Sequence, residues 1–483
     1  MIWVQVQVCW PEEQSCCVAD ARWAILGLRD ILRVSMPDAF HDSAARKNPP
    51  RCHLGTRQDY IKKITSWGAG TLDDHHERIL WMHGPAGVGK SAVAQSCAEL
   101  FAEKQTLAAS IFLSRPNQRN NPNYILPSIA YQIATKLNSF AAVLDEIIRK
   151  DPTVLTRTLN QQFYRLLVEP FQRPQIAEML HAEEHVVIID GVDECEDLDA
   201  QPELIEIIAA SARDRSTPFR WILLSRPERH IVNRMRTAHI SSLVFHVELP
   251  VSREIDHEVL LYLSDELSRI GEERGFPPTW LSEGATAILV ELAAGLFIYA
   301  ATVVRFIGER NSTGPVDRLN AVLALQKRQT RRWIRHPLAA LDLFYTLIVQ
   351  YIPSEIRPTI LKILLLHSGF INLGDQRRVP FAQMPTYANI LGLSEPQFRD
   401  ACAPLQSVLD IVSQSPEMLV FYHASFMEFM QDLERSGEFG VHSVMQDLRI
   451  EMLDRLNLVH SQSQGILRIL YLLYLLVKLM YFI

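Results

Sequence analysis

Ile79-Leu80-Trp81-Met82-His83-Gly84-Pro85-Ala86-Gly87-Val88-Gly89-Lys90-Ser91 is the stretch that decides the fold. A short apolar run enters a glycine-rich loop of the form G-x-x-x-x-G-K-S, and the helix-forming run Ala92 to Leu100 follows directly. Strand, loop and helix in that order are the setting a phosphate-binding P-loop requires. Gly84, Gly87 and Gly89 let the backbone bend, and with Pro85, Ala86 and Val88 they form a loop whose N–H groups can face a β-phosphate. The new helix adds its positive N-terminal end. Lys90 is the candidate bridge between β- and γ-phosphates, and Ser91 the candidate hydroxyl ligand for Mg²⁺.

A second element supports the first. Val186-Val187-Ile188-Ile189 reads as a buried strand with Asp190 at its end, where a carboxylate can hold Mg²⁺ directly or through water. Asp193 and Glu194 follow at once and are candidates to orient or deprotonate an attacking water. Glu196, Asp197 and Asp199 read as a solvated acidic loop. A third element, Trp221-Ile222-Leu223-Leu224-Ser225-Arg226, places an arginine just past another apolar strand. A guanidinium there could meet a γ-phosphate through charge-assisted hydrogen bonds.

Working outward, apolar runs alternate with helical periods from Arg51 to roughly Pro250. The expected strands are Ile79–His83, Ala108–Leu113, Val186–Ile189, Trp221–Leu224 and Leu243–Leu249. The expected fold class is α/β, a parallel P-loop NTPase sheet with helices on both faces, its chemistry beyond the C-terminal strand ends. Consecutive helices follow from Val251 to about His336, with Glu258, Leu260, Leu261, Leu263 and Leu267 in one period. From Pro337 to about Arg435, Ser394-Glu395-Pro396-Gln397 resembles a capping box, and Val408–Val412 can pair with Met418–Tyr422 across Ser413–Glu417. A helix pair followed by a hairpin predicts a winged helix. Its candidate recognition helix, Glu395 to Val408, carries Glu395, Arg399 and Asp400 and no basic stripe, which points to internal packing rather than to nucleic acid. The expected organisation is residues 1–50 as a separate N-terminal segment, 51–250 as the nucleotide-binding domain, 251–336 as a helical domain, 337–435 as the winged helix, and 436–483 as a C-terminal segment.

Composition sets the remaining bounds. The 483 residues allow two to four domains, and 48% hydrophobic with 21% charged residues fits packed cores rather than bulk disorder. A formal net charge of −7 argues against a general nucleic-acid binder. Seven scattered cysteines, without a C-x-x-C pair, read as thiols in a reducing compartment. The N-terminus lacks the pattern of a secretory signal, so the cytoplasm is the expected location.

These motifs, with Arg51-Cys52-His53-Leu54-Gly55-Thr56-Arg57 before the first strand and Phe421-Tyr422-His423-Ala424-Ser425-Phe426 late in the chain, resemble the NACHT-type STAND P-loop NTPases, especially fungal NLR-like proteins. The resemblance runs from Pro37 to Val441. It implies a nucleotide-controlled signalling switch, closed with a diphosphate and assembly-competent with a triphosphate, with slow hydrolysis between. It implies that Gly55, Thr56 and Arg57 border the base, and that His423 touches the phosphates in the closed form. ATP is the default base, with GTP as the alternative, and Mg²⁺ the expected metal. The partners implied are the nucleotide, further copies in the triphosphate state, and proteins of unassigned identity. One departure is that Gly295-Leu296-Phe297 stands where relatives often carry Gly-x-Pro. The first fifty residues are too short for an effector domain and read as a remnant, and no sensor repeat is visible.

Two other functions fit parts of this pattern. A turnover ATPase or kinase would share the core chemistry, and a truncated scaffold would explain the missing flanking domains. The tail Ile466 to Ile483 reads as an anchor, a packing helix or a non-native end. Arg468 and Lys478 interrupt its apolar run, so membrane contact is the less favoured reading.

Overall fold

The computed structural model describes residues 27–46, 49–177, 185–309, 314–328, 338–371, 383–412 and 417–461. The expectations for Ser413–Pro416 and for the tail Ile466–Ile483 lie outside them. Five parallel strands, β1 (Ile79–His83), β2 (Leu107–Phe112), β3 (His185–Asp190), β4 (Phe219–Ser225) and β5 (Val244–Glu248), form a sheet ordered β2-β3-β4-β1-β5.

Strand alternation builds two cores. Leu80, Met82, Ile188 and Leu224 face one side, against helices that include α1 (Lys90–Glu103) with Val93, Cys97 and Phe101. Ile79, Trp81, Ile189 and Leu223 face the other, against the helices Ile125–Lys136, Asn138–Lys150 and Ala200–Asp214. Both faces are therefore covered, which is why the strands read as nearly continuous apolar runs.

Residues 27–46 do not stand apart. Ile31, Met36 and Ala39 are buried in the second core, and the Met36 N–H donates to Ser128 Oγ at 2.7 Å. Arg46 lies 3.6 Å over the Phe112 ring and donates to Gln95 Oε1 on α1 at 2.6 Å. A segment too short for its own core is thus stable as a clasp over β2 and α1.

The first long helix after the sheet is α2 (Asp256–Glu273). It buries Val259, Leu263, Leu267 and Ile270, whereas Leu260 and Leu261 are exposed, correcting the expected apolar face. Of the residues in the expected period, Leu263 and Leu267 lie on the buried stripe, Val259 joins them at i, i+4 and i+8 although that reading does not name it, and the two adjacent leucines fall off the stripe. Helix α3 (Phe297–Gly308) follows and packs against α2.

The C-terminal unit contains the helices Met384–Leu391 and α4 (Glu395–Cys402), turning at Gly392, with Tyr387 stacked on Phe398. Ser394 and Gln397 form the capping box. Helix α4 gives way to a short 3₁₀ turn at Ala403–Leu405, so it is shorter than the expected Glu395–Val408. Strands β6 (Leu409–Val412) and β7 (Met418–Phe421) pair antiparallel, and Gln383 bridges to Met418 beside them. Helix α5 (Ala424–Gln431) then returns toward the sheet. Arg399 is engaged by Glu395 and Glu417, so the one base on α4 is neutralised within the unit.

The loop after β2 fastens this unit to the sheet. Asn117 Nδ2 donates to Phe421 O at 3.0 Å, and the Phe421 N–H donates to Asn117 Oδ1 at 2.8 Å, as a strand neighbour would. Beside it, His367 Nε2 bonds Pro116 O at 2.7 Å and Nδ1 bonds Tyr387 OH at 2.8 Å. A carbonyl accepts only, so Nε2 carries the proton and Nδ1 accepts from Tyr387. Burial pushes the His367 pKa down to about 4 from 6.5. Between those values the unfolded chain binds a proton that the folded chain refuses, so stability falls as pH falls from about 6.5 to 4. Urea unfolding across that range is expected to show this decline, and a His367→Gln variant a shallower one. Equal slopes would remove His367 as a source.

Candidate functional site

A cavity of about 460 Å³ opens beyond the C-terminal ends of the strands. It is lined from the P-loop (Ala86, Gly87, Gly89, Lys90, Ser91), from the end of β3 (Asp190, Asp193, Glu194), by Arg226, and by Thr56, Arg57 and His423. Strand order explains the convergence. Strand β4 lies between β1 and β3, so Arg226, just past its end, falls between the P-loop and the acidic turn.

The glycines have separate duties. Gly87 and Gly89 have φ of 82° and 102°, where a side chain is strained. A Cβ on Gly84 would collide with the Leu249 carbonyl oxygen, so that glycine admits the chain leaving β5 rather than a ligand. Gly84, Pro85, Val88 and Gly55 do not line the cavity. Lys90 Nζ donates to Gly84 O at 2.7 Å and to Pro85 O at 2.8 Å. Burial lowers its pKa, and Asp193 and Asp190 oppose that shift.

Ser91 Oγ is in hydrogen-bonding contact with Asp190. Burial pushes Asp190 up to about 6, against the pull of Ser91, Lys90 and Arg46. One hydroxyl and one carboxylate, both hard oxygen donors, suit Mg²⁺, which keeps waters and phosphate oxygens as its other ligands. Among the described residues no group of three His, Cys, Asp or Glu could cage a metal unaided.

The acidic turn is locked by Arg226. Its backbone N–H donates to Asp193 Oδ1 at 2.9 Å and its Nε lies 3.3 Å from Asp193 Oδ2. Its Nη2 lies 2.6 Å from Glu428 on α5. Burial alone would lower the arginine pKa, but Glu428, Glu194 and Asp193 outweigh it and raise it. Glu194 accepts from the Arg115 N–H at 3.0 Å and is pushed up to about 7, chiefly by burial and then by Asp193.

His423 is the N-cap of α5. Its Nδ1 accepts from the Ser425 N–H at 3.1 Å, so the neutral ring carries its proton on Nε2. Burial, then Arg226, holds its pKa down to about 3. Arg57 lines the cavity and also supports its wall. Its Nη2 donates to Val88 O at 2.9 Å and its guanidinium stands 5.0 Å over the Phe297 ring, so it braces the P-loop. The proline missing from Gly295-Leu296-Phe297 is replaced in part by a backbone contact, Ile298 N–H to Gly87 O at 3.1 Å.

Motif reading missed Glu428, Arg305, Tyr262 and Phe297, which complete this region from α2, α3 and α5. Phe297 is named there only as the departure from Gly-x-Pro, the other three belong to no local pattern, and the topology brings all four here.

The match to a known family begins and ends at this site. Residues 56–226, from the buried threonine at the cavity rim to the arginine past β4, match the family model of the nephrocystin 3 N-terminal region, which is NACHT-like. The chain carries a NACHT-type P-loop NTPase region. That NACHT-type region spans the P-loop, the acidic turn and Arg226, while Arg305, His423 and Glu428 lie beyond it. A comparison with curated protein sequences finds no match. Several solved structures are similar at low identity. The Aeropyrum pernix ORC1 protein in complex with DNA is 15% identical, with 78% of this chain and 92% of that chain covered and a TM-score of 0.33. The A. pernix ORC2 protein, in ADPNP–ADP complexes, is 13% identical, covering 81% and 97% with a TM-score of 0.35. Cdc6p from Pyrobaculum aerophilum is 12% identical, covering 78% and 94% with a TM-score of 0.36. Scores this low do not bear on function. Among the described residues no helix is long and apolar enough to cross a membrane.

Proposed function

We propose that this chain is a nucleotide-dependent signalling switch that binds Mg²⁺–NTP, hydrolyses it slowly and uses the change in phosphate number to control self-assembly. The observation that carries the reading is the Arg226–Glu428 ion pair at 2.6 Å. It ties the arginine at the phosphate end of the cavity to α5 of the C-terminal unit, so one side chain answers both to the ligand and to the domain contact. His423, on the same helix, adds an Nε2–H donor at the cavity wall.

In this reading Gly87, Gly89, Lys90 and Ser91 hold the phosphates, with Ser91 and Asp190 holding Mg²⁺. The metal supplies charge neutralisation at the β- and γ-oxygens. Asp193 has both oxygens on Arg226 and positions it. Glu194, with a pKa near neutrality and one oxygen uncommitted to Arg115, is the better fit for the water-activating base. A γ-phosphate competes with Glu428 for Arg226 and so loosens α5. ATP is the default ligand, with GTP as the alternative. The cytoplasm and protein partners follow from the same reading, and the neutralised α4 and the net charge of −7 favour protein over nucleic-acid contacts.

Light scattering of the purified chain with ADP and with a non-hydrolysable ATP analogue tests the proposal. A larger mass in the triphosphate state is the expected result. The same mass in both states, with nucleotide bound, would sink the switch and favour a scaffold.

A further inference from the structure

Helix α3 begins on the P-loop, where the Ile298 N–H donates to Gly87 O. From there Ile298, Ala301 and Arg305 fall at i, i+3 and i+7 on one stripe, and all three line the cavity. Helical side chains lean toward the N-terminus, so Arg305 leans back toward the P-loop end.

The other cations lining the cavity are committed to acceptors on the protein. Lys90 has Gly84 O and Pro85 O, Arg226 has Asp193 and Glu428, and Arg57 has Val88 O. Arg269 has Glu266 and Glu273, and Arg51 has Glu99. Arg305 differs. Its guanidinium rests 4.3 Å over the Tyr422 ring, and its Nη1 is enclosed without a hydrogen-bond partner. Among the described residues no carboxylate pairs with it. An enclosed guanidinium donor left unmatched is costly, and an aromatic face satisfies its charge but not its N–H groups.

We propose that Arg305 is a polyphosphate-binding residue, delivered by α3 opposite Lys90, and that the phosphate chain is the acceptor its N–H groups lack. The inference rests on the nucleotide reading above and adds to it a helical element that senses the ligand directly. Tyr422 then acts as the resting platform for the guanidinium, which links phosphate occupancy to the end of β7.

The test is calorimetry of the full chain with ATP, ADP and adenosine in the presence of Mg²⁺, for Arg305→Met, Arg305→Lys and Lys90→Ala. Arg305→Met is expected to weaken ADP and ATP about 10-fold and to leave adenosine unchanged, because the loss is one charge-assisted contact to phosphate. Arg305→Lys should retain most of the affinity, which a purely packing role would not predict. If Arg305→Met folds poorly, Arg305→Gln replaces it, and the expected result is again a loss for ADP that adenosine does not share. Equal weakening of adenosine and ADP overturns the proposal. So does unchanged ADP affinity in Arg305→Met while Lys90→Ala loses it, an outcome that leaves the nucleotide reading standing. Retained ADP affinity in Lys90→Ala would remove that reading and this inference together.

Discussion

In a Lys90→Ala variant, ATP and ADP affinity is expected to fall by about 100-fold or more. The side chain lies at the mouth of the P-loop with Asp190 and Asp193 in its field, so its ammonium sits where positive charge meets the site's carboxylates. Its two present acceptors are the Gly84 and Pro85 carbonyls. A phosphate chain offers anionic oxygens instead, and charge-assisted hydrogen bonds contribute about 1.5–3 kcal/mol each. Two such bonds account for a loss of about 3–6 kcal/mol, or roughly two to four orders of magnitude in affinity. Calorimetry measures the loss, and thermal unfolding of the ligand-free variant separates it from misfolding. Unchanged affinity in a folded variant would mean that phosphate is not bound at this loop.

The second large effect is expected at Arg226. It is the common counter-ion of Asp193 and Glu428 and lowers the Glu194 pKa as well. Burial would raise the Glu428 pKa, and Arg226 more than reverses this, holding Glu428 below its ordinary value. A carboxylate so depressed contributes stability above its unfolded pKa and loses it as pH falls through the folded one. Arg226→Met removes that contribution and leaves Asp193 and Glu428 without their partner. Removing one member of such a pair costs about 2–4 kcal/mol, toward the lower end here because Arg226 and Glu428 are partly exposed. The deficit relative to the unaltered chain should be full at pH 8 and shrink toward pH 4.5, as the stranded carboxylates take up protons. Urea unfolding at the two pH values measures it, and a deficit independent of pH would show that Arg226 acts by packing alone.

The sequence carries the parts of the site that lie within one loop. The P-loop, the Asp190–Glu194 turn and Arg226 follow strands whose alternation and length are local properties, and the strand bounds differ from expectation by only a residue or two. Helix stripes are harder. Leu260 and Leu261 look as apolar as Leu263, and only the position of the neighbouring helices decides which leucine is covered. Contacts made across the fold have no local signature at all. Glu428, Arg305 and the Asn117–Phe421 pair sit among ordinary helix and turn residues, separated from their partners by roughly a hundred residues or more. Residues 27–46 misled for a related reason. A short piece reads as an orphan until the sheet face it covers is known. Arg57 lines the cavity while its Nη2 turns to Val88, a second contact that the motif reading does not include.

Strand β4 is wedged between β1 and β3, although it comes after both in the chain. A nascent polypeptide emerging from the ribosome therefore cannot close its phosphate pocket when the P-loop appears, nor when the acidic turn appears. Residues through Arg226 must first be synthesised and slotted into the gap, and until then two hydrophobic strand edges remain open to wrong partners. The order of synthesis thus makes the middle strand the commitment step, and a chain interrupted before Phe219 would be an aggregation hazard rather than a half-built pocket.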